Sequence, residues 1–70
     1  MAESVYKVIE LVGSSSESWE KAAQAAVKQA AKSLRDLRIA EVSQLDMALQ
    51  DGQVQSYRAK VRVSFKYQAE

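Results

Sequence analysis

From Tyr57 to Tyr67 the chain alternates without a break: Tyr57, Ala59, Val61, Val63, Phe65 and Tyr67 fall on one side, and Arg58, Lys60, Arg62, Ser64 and Lys66 on the other. Successive side chains of a strand point to opposite faces of a sheet, so the pattern predicts a half-buried antiparallel strand with one dry face and one wet, basic face. Its length constrains the fold more than its pattern does. With a run-in from Gln53 the strand spans roughly 15 residues, or about 50 Å at ~3.3 Å per residue, which is wider than a compact globule of this size. Part of it is expected to lie on something other than its own domain.

The preceding residues supply what this strand pairs with and packs against. Val5 to Val12 is rich in β-branched residues, carries apolar groups on both faces and is bounded by Gly13 and a serine run, so it predicts a first strand. Ser14, Ser15, Ser16 and Ser18 then offer several helix N-caps, and Ser14 with Glu17 has the capping-box spacing. The Gly-Lys-Ser core of a phosphate-binding loop is missing, which leaves the capped helix as the better account of Gly13 and the serines. Trp19, Ala22, Ala23, Ala26, Val27, Ala30, Ala31 and Leu34 then recur at helical spacing and form one stripe. Trp19 heads that stripe and is assigned to packing. Because the stripe is mostly Ala, helix and sheet can approach closely but bury little area per residue.

Ile39 to Gln50 predicts a second strand, and Asp51-Gly52 marks a hairpin into the long one, since Gly readily takes positive φ. A two-residue loop sets Gln50 opposite Gln53, Ala40 opposite Val63 and Val42 opposite Val61 on the dry side, with Glu41 opposite Arg62 on the wet side as an opposite-charge pair. The same register puts Leu45, Met47, Leu49 and Val54 on the wet side near the hairpin tip, a patch of the kind that marks contact with another chain. It also sends Asp46 and Arg58 to opposite faces. The expected fold is α+β, a β-α-β-β subunit whose three-stranded antiparallel sheet curls around one helix. A helix of roughly 19 residues measures about 28 Å, so it cannot cover the long strand, and the overhang calls for neighbouring subunits in a closed assembly.

Composition narrows the function. Seventy residues form a single domain, residues 1–70, of a size that is marginal alone. The chain has no Cys and no His, so neither a disulfide nor the usual zinc or haem ligands are present, and oligomerisation is the remaining source of stability. Nucleophilic and general-base chemistry would fall to Ser, Lys, Tyr or carboxylates, which no spacing brings together, so an enzyme is not expected. No apolar run approaches the ~20 residues of a membrane span and no charged-then-apolar leader is seen, which predicts a cytoplasmic protein without a membrane partner. The basic strand face has a phosphate-binding interpretation. However, nucleic-acid strands interleave aromatics with cations, and here the aromatics sit on the dry side, so no nucleic-acid partner is expected.

The opening Val5-Tyr6-Lys7-Val8-Ile9-Glu10-Leu11-Val12-Gly13-Ser14-Ser15, the helix with Trp19-Glu20 and its alanine stripe, Leu34-Arg35-Asp36-Leu37 leading to Glu41-Val42, and Val61-Arg62-Val63-Ser64-Phe65 together resemble the dodecin family over nearly the whole chain. The resemblance implies a subunit of a hollow homododecamer that binds riboflavin, FMN or related flavins for storage. It also shows departures. Ile39 stands where flavin-binding members carry a stacking tryptophan, Arg58 where they carry a glutamine, Asp46-Met47 where they carry Arg-Gly, and Ser64 where Gly precedes the final Phe. A guanidinium offers donors only, so the glutamine's contact cannot be reproduced unchanged.

The ligand pocket is therefore expected to be an altered flavin-type pocket involving Ile39, Arg58 and Leu45, with weakened FMN or riboflavin binding. These departures resemble a tryptophan-less branch, some members of which bind calcium. The alternative is a structural assembly that binds calcium or another metal ion and no flavin, with Asp46, Glu17 and Glu20 as candidate ligands. Calcium takes six to eight oxygens, and no EF-hand spacing is present.

Overall fold

A computed structural model describes residues 3–67. Strand β1 (Tyr6–Ser15) leads to helix α1 (Trp19–Ser33), then to β2 (Leu37–Gln50) and β3 (Gln53–Lys66). The sheet is antiparallel with β3 in the centre, in the order β1-β3-β2. This is the expected β-α-β-β arrangement.

The helix starts at Trp19, after the last of the four candidate serines and one turn later than the Ser14–Glu17 spacing suggested. Ser14 and Ser15 belong to β1, and the N-cap is Ser18, whose Oγ accepts from the Lys21 N–H at 3.1 Å. Three residues beyond that cap stands Lys21, so no capping box forms; Glu17 instead pairs with Lys21 at 2.9 Å. At 15 residues the helix is about 22 Å long.

Both strands of the hairpin contain 14 residues. Asp51 and Gly52 have φ values of 53° and 76°, the positive pair that a type I′ hairpin turn requires. Gln50 faces Gln53 as expected, and Ala40 faces Val63, Glu41 faces Arg62 and Val42 faces Val61. Between these two stretches the register slips. Ser43 is an extra residue on β2 and Gln55 a compensating extra residue on β3, so Leu45 faces Ala59 and Met47 faces Tyr57. Each bulge reverses the face of the residues beyond it. Leu45, Met47, Leu49 and Val54 thus join the helix-side face, in contrast to the wet-side placement that an unbroken register gives.

The core is thin. Among the described residues the buried hydrophobic side chains are Ala22, Ala26, Ala30, Ala59, Val61 and Val63, with Ile9, Leu11, Ala23, Val27 and Leu37 packed partly buried against them. Its small residues set the geometry. A Cβ placed on Gly13 would lie 2.1 Å from the Ala22 carbonyl oxygen, so the helix rests directly on the β1 backbone there. The helix covers β1 and β3 and barely reaches β2.

The molecule is elongated as a result. Its radius of gyration is 14.5 Å and its long axis 54 Å, whereas a compact chain of this length has a radius of about 11 Å. No helix of the described residues is long and apolar enough to cross a membrane.

Replacing Gly13 by Ala drives a methyl group into helix backbone that cannot move aside. The expected cost is about 1–3 kcal/mol, read as a lowered urea midpoint. A loss below about half a kcal/mol would show that the helix does not depend on this approach.

Candidate functional site

The bulge at Ser43 decides which side chains meet. Gln44 now faces Lys60 and Asp46 faces Arg58, so Asp46 and Arg58 share the face turned away from the helix. Arg58 holds the carboxylate along one edge of its guanidinium, Nε to Oδ1 at 2.8 Å and Nη2 to Oδ2 at 3.0 Å. The hydrogen bond from Arg58 lowers the Asp46 pKa; partial desolvation opposes this, and the charges of Arg58 and Lys60 add to the lowering. The same hydrogen bond and charge raise the Arg58 pKa. Asp46 is thus an Arg-paired carboxylate. Leu45 occupies the opposite face.

On the helix side of the same strand pair, the Trp19 indole N–H donates to the Asp46 carbonyl oxygen at 2.9 Å. The Trp19 ring meets Tyr57 edge-on, with centroids 5.0 Å apart and planes at 70°. Trp19 therefore packs, as its position in the helical stripe implied, and it also ties the helix start to the middle of β2. The sequence signal missed was the parity of β2. Its apolar residues run Ala40, Val42 and then Leu45, Met47, Leu49, and that change from even to odd marks a bulge between Val42 and Leu45.

The three candidate ligand residues do not form one pocket within a chain. Ile39 faces Ser64 and lies on the same sheet face as Arg58, but six residues along β3 separate Ser64 from Arg58, or about 20 Å. Leu45 faces Ala59 on the helix side. Ile39 is 64% exposed and has Val8 across Ser64 in its own row, so an apolar wall stands where stacking would require an aromatic ring.

The candidate metal ligands are likewise dispersed. Asp46 is engaged by Arg58 and Glu17 by Lys21, and among the described residues no group of three His, Cys, Asp or Glu side chains converges. The described residues of one chain do not present the carboxylate set that calcium needs.

The other charges of the outer face follow the strand register. Glu10 lies 3.7 Å from Arg62, which also faces Glu41. On the helix side, an open groove of ≈ 670 Å³ runs between α1 and β2, lined by Ala23, Val27, Ala40, Val42 and Val61 with Lys21 and Lys28 at its margin.

A family model described as Dodecin matches residues 5–68. A protein named calcium dodecin, from Mycobacterium tuberculosis, is 49% identical over 63 residues, which covers 90% of this chain and 89% of the relative. A dodecin from Thermus thermophilus is 40% identical over 62 residues, covering 89% and 90% respectively. Among solved structures, the Streptomyces coelicolor dodecin superposes with a TM-score of 0.91 at 31% identity over the whole of both chains. The M. tuberculosis calcium dodecin, described as having a novel calcium-binding site, gives 0.83 at 47% identity over 96% of each chain.

The geometry sets two expected outcomes. Trp19→Phe removes the bond to the Asp46 carbonyl and trims the aromatic pair, at an expected cost of about 1–2 kcal/mol by chemical denaturation. The Asp46 pKa is lowered on folding, so its contribution is complete above the ordinary carboxylate pKa of about 3.9 and is lost as pH falls through the lower folded value. Acid unfolding of Asp46→Asn should consequently lack the part of the wild-type loss that develops below about pH 4; superimposable acid limbs would refute this.

Proposed function

Because the chain belongs to the dodecin family, we propose that it is a non-enzymatic subunit of a hollow homododecamer that binds or stores a small ligand between subunits. The observation that carries this reading is the bare helix-side face of β2. Val42, Leu45, Met47 and Leu49, with Val54 of β3 beside them, are between 44% and 63% exposed there, because their own helix barely reaches β2. A row of large apolar side chains beside a core made mostly of alanine is an interface awaiting a partner. A chain of this length with no disulfide and so small a core gains most of its missing burial by association with its own kind.

The separation of Ile39 from Arg58 supports a pocket shared between copies. Residues about 20 Å apart on one sheet face cannot enclose one small molecule, but Ile39 of one subunit and Arg58 of another can meet across an interface. With an aliphatic side chain at position 39 and a carboxylate already in the Arg58 fork, flavin binding should be weak. FMN and riboflavin are the first ligands to test, because dodecins as a family bind flavins.

A second reading is favoured by the 49% identity to a protein named calcium dodecin. In it the assembly binds calcium and no flavin, and carboxylates such as Asp46, Glu17 and Glu20 are contributed by several copies, since one chain does not gather them.

Analytical ultracentrifugation of the purified protein should give a species of about twelve chains, and Val42→Asp on the bare face should shift it to smaller species; a wild-type monomer at micromolar concentration would overturn the assembly. Titration with riboflavin and FMN then separates the readings. Flavin quenching with saturation identifies a flavin pocket, and its absence at high micromolar flavin removes flavin as ligand. A melting temperature raised by millimolar calcium and lowered by chelator supports the second reading, because an ion that binds only the native state stabilises by mass action. An unchanged melt excludes it.

A further inference from the structure

The sheet face away from the helix is ordered in rows that cross all three strands. Ser14, Arg58 and Asp46 form one row, Val12, Lys60 and Gln44 the next, and Glu10, Arg62 and Glu41 the one after. Arg62 therefore stands between two carboxylates, but Arg58 and Lys60 have only Asp46 between them. Asp46 takes the Nε–Nη2 edge of Arg58, and among the described residues Lys60 makes no ion pair. The two cations project from the same face two residues apart, about 7 Å along the strand, with the Ser14 hydroxyl opposite Arg58 on the β1 side.

We infer that Arg58 and Lys60, with Ser14 beside them, form an oxyanion site that Asp46 fills from within, and that its ligand class is inorganic phosphate or a phosphate monoester. This deepens the ligand reading above and rests on it for the role of Arg58. The occupant is exchangeable, because the Arg58 and Asp46 side chains are 48% and 39% exposed. An ion pair so open to solvent shifts an equilibrium by no more than about fivefold. A carboxylate ligand would bring one charge and two oxygens and so gain nothing over the tethered Asp46. A phosphate brings nearly two charges and three acceptor oxygens, enough to hold the Arg58 fork and reach Lys60 together. The face carries no aromatic ring between the two cations, so the site selects the phosphate and not the group attached to it.

The test is calorimetric titration of the assembled protein with inorganic phosphate, FMN and riboflavin at low salt. Phosphate and FMN should bind and compete, riboflavin should not compete with phosphate, and affinity should fall as sodium chloride is raised. Asp46→Asn empties the fork and should tighten phosphate at least about threefold. Arg58→Gln should weaken it about tenfold. Lys60→Gln leaves the Asp46–Arg58 pair in place, so it reports on the site without risk to the fold, and should weaken phosphate several-fold. Phosphate affinity unchanged in both Arg58→Gln and Lys60→Gln, or no heat with wild type and Asp46→Asn alike, overturns the proposal. Sedimentation in the same buffers keeps the two ideas apart. All the groups invoked belong to one chain, so phosphate binding without a dodecamer would count against the assembly only, and a dodecamer blind to phosphate against this site only.

Discussion

The close approach of α1 to β1 at Gly13 and Ala22 is the contact on which the rest of the molecule depends. Only a residue without a Cβ can sit under a helix carbonyl at that distance, and only a helix face of alanines can lie flat on the sheet beside it. The consequence is a short helix centred over β1 and β3. The hairpin extends past the helix start, where Trp19 meets Asp46 and Tyr57 partway along β2 and β3, and β2 has little helix cover. What small residues give in proximity they lose in area, so the chain folds around a core of four alanines and two valines among its described residues. Exposed apolar residues on β2 and a weak internal core are two results of one packing choice.

Much of this was legible in the sequence because it rests on period and turn chemistry. The alternation in β3, the alanine stripe of α1 and the Asp51-Gly52 turn are each local signals, and pairing beyond Ser43 came out residue for residue at Ala40, Glu41 and Val42. The helix start was less accessible. Ser14, Ser15, Ser16 and Ser18 all offer a capping hydroxyl, and the choice falls to Ser18 because β1 continues through Ser15 to pair with Tyr57. That is a tertiary constraint which no spacing rule contains.

The candidate site was hidden by a subtler effect. Two bulges of opposite sense, at Ser43 and Gln55, cancel, so register counted from the turn and register over Ile39 to Val42 agree while the middle is displaced; a third shift, at Arg38, alters only the pairing of Leu37 with Phe65. An unbroken count places Asp46 and Arg58 on opposite faces, whereas the displaced one makes them direct partners. Residue type alone marked Arg58 and Asp46 as two of the places where this chain departs from the flavin-binding pattern. It could not reveal that the two are partners, which turns an uncompensated cation into an ion pair held along one guanidinium edge.

The bulge at Ser43 also explains how one strand serves two different surfaces. Without the extra residue, Leu45, Met47 and Leu49 would face outward beside Lys60, and Asp46 would be turned toward the aromatic pair of Trp19 and Tyr57, where a carboxylate has no cation. One inserted position corrects both faults together, sending the apolar side chains to the face that lacks cover and the carboxylate to the face that carries the charge. Trp19 fixes the outcome from the helix side. Its indole donates to the main-chain oxygen of Asp46, so it holds the displaced segment by backbone and leaves the carboxylate free to meet Arg58 across the sheet. The surface proposed for assembly and the surface proposed for binding are therefore not independent features of β2. They are the two sides of a single register, pinned by the first residue of the helix.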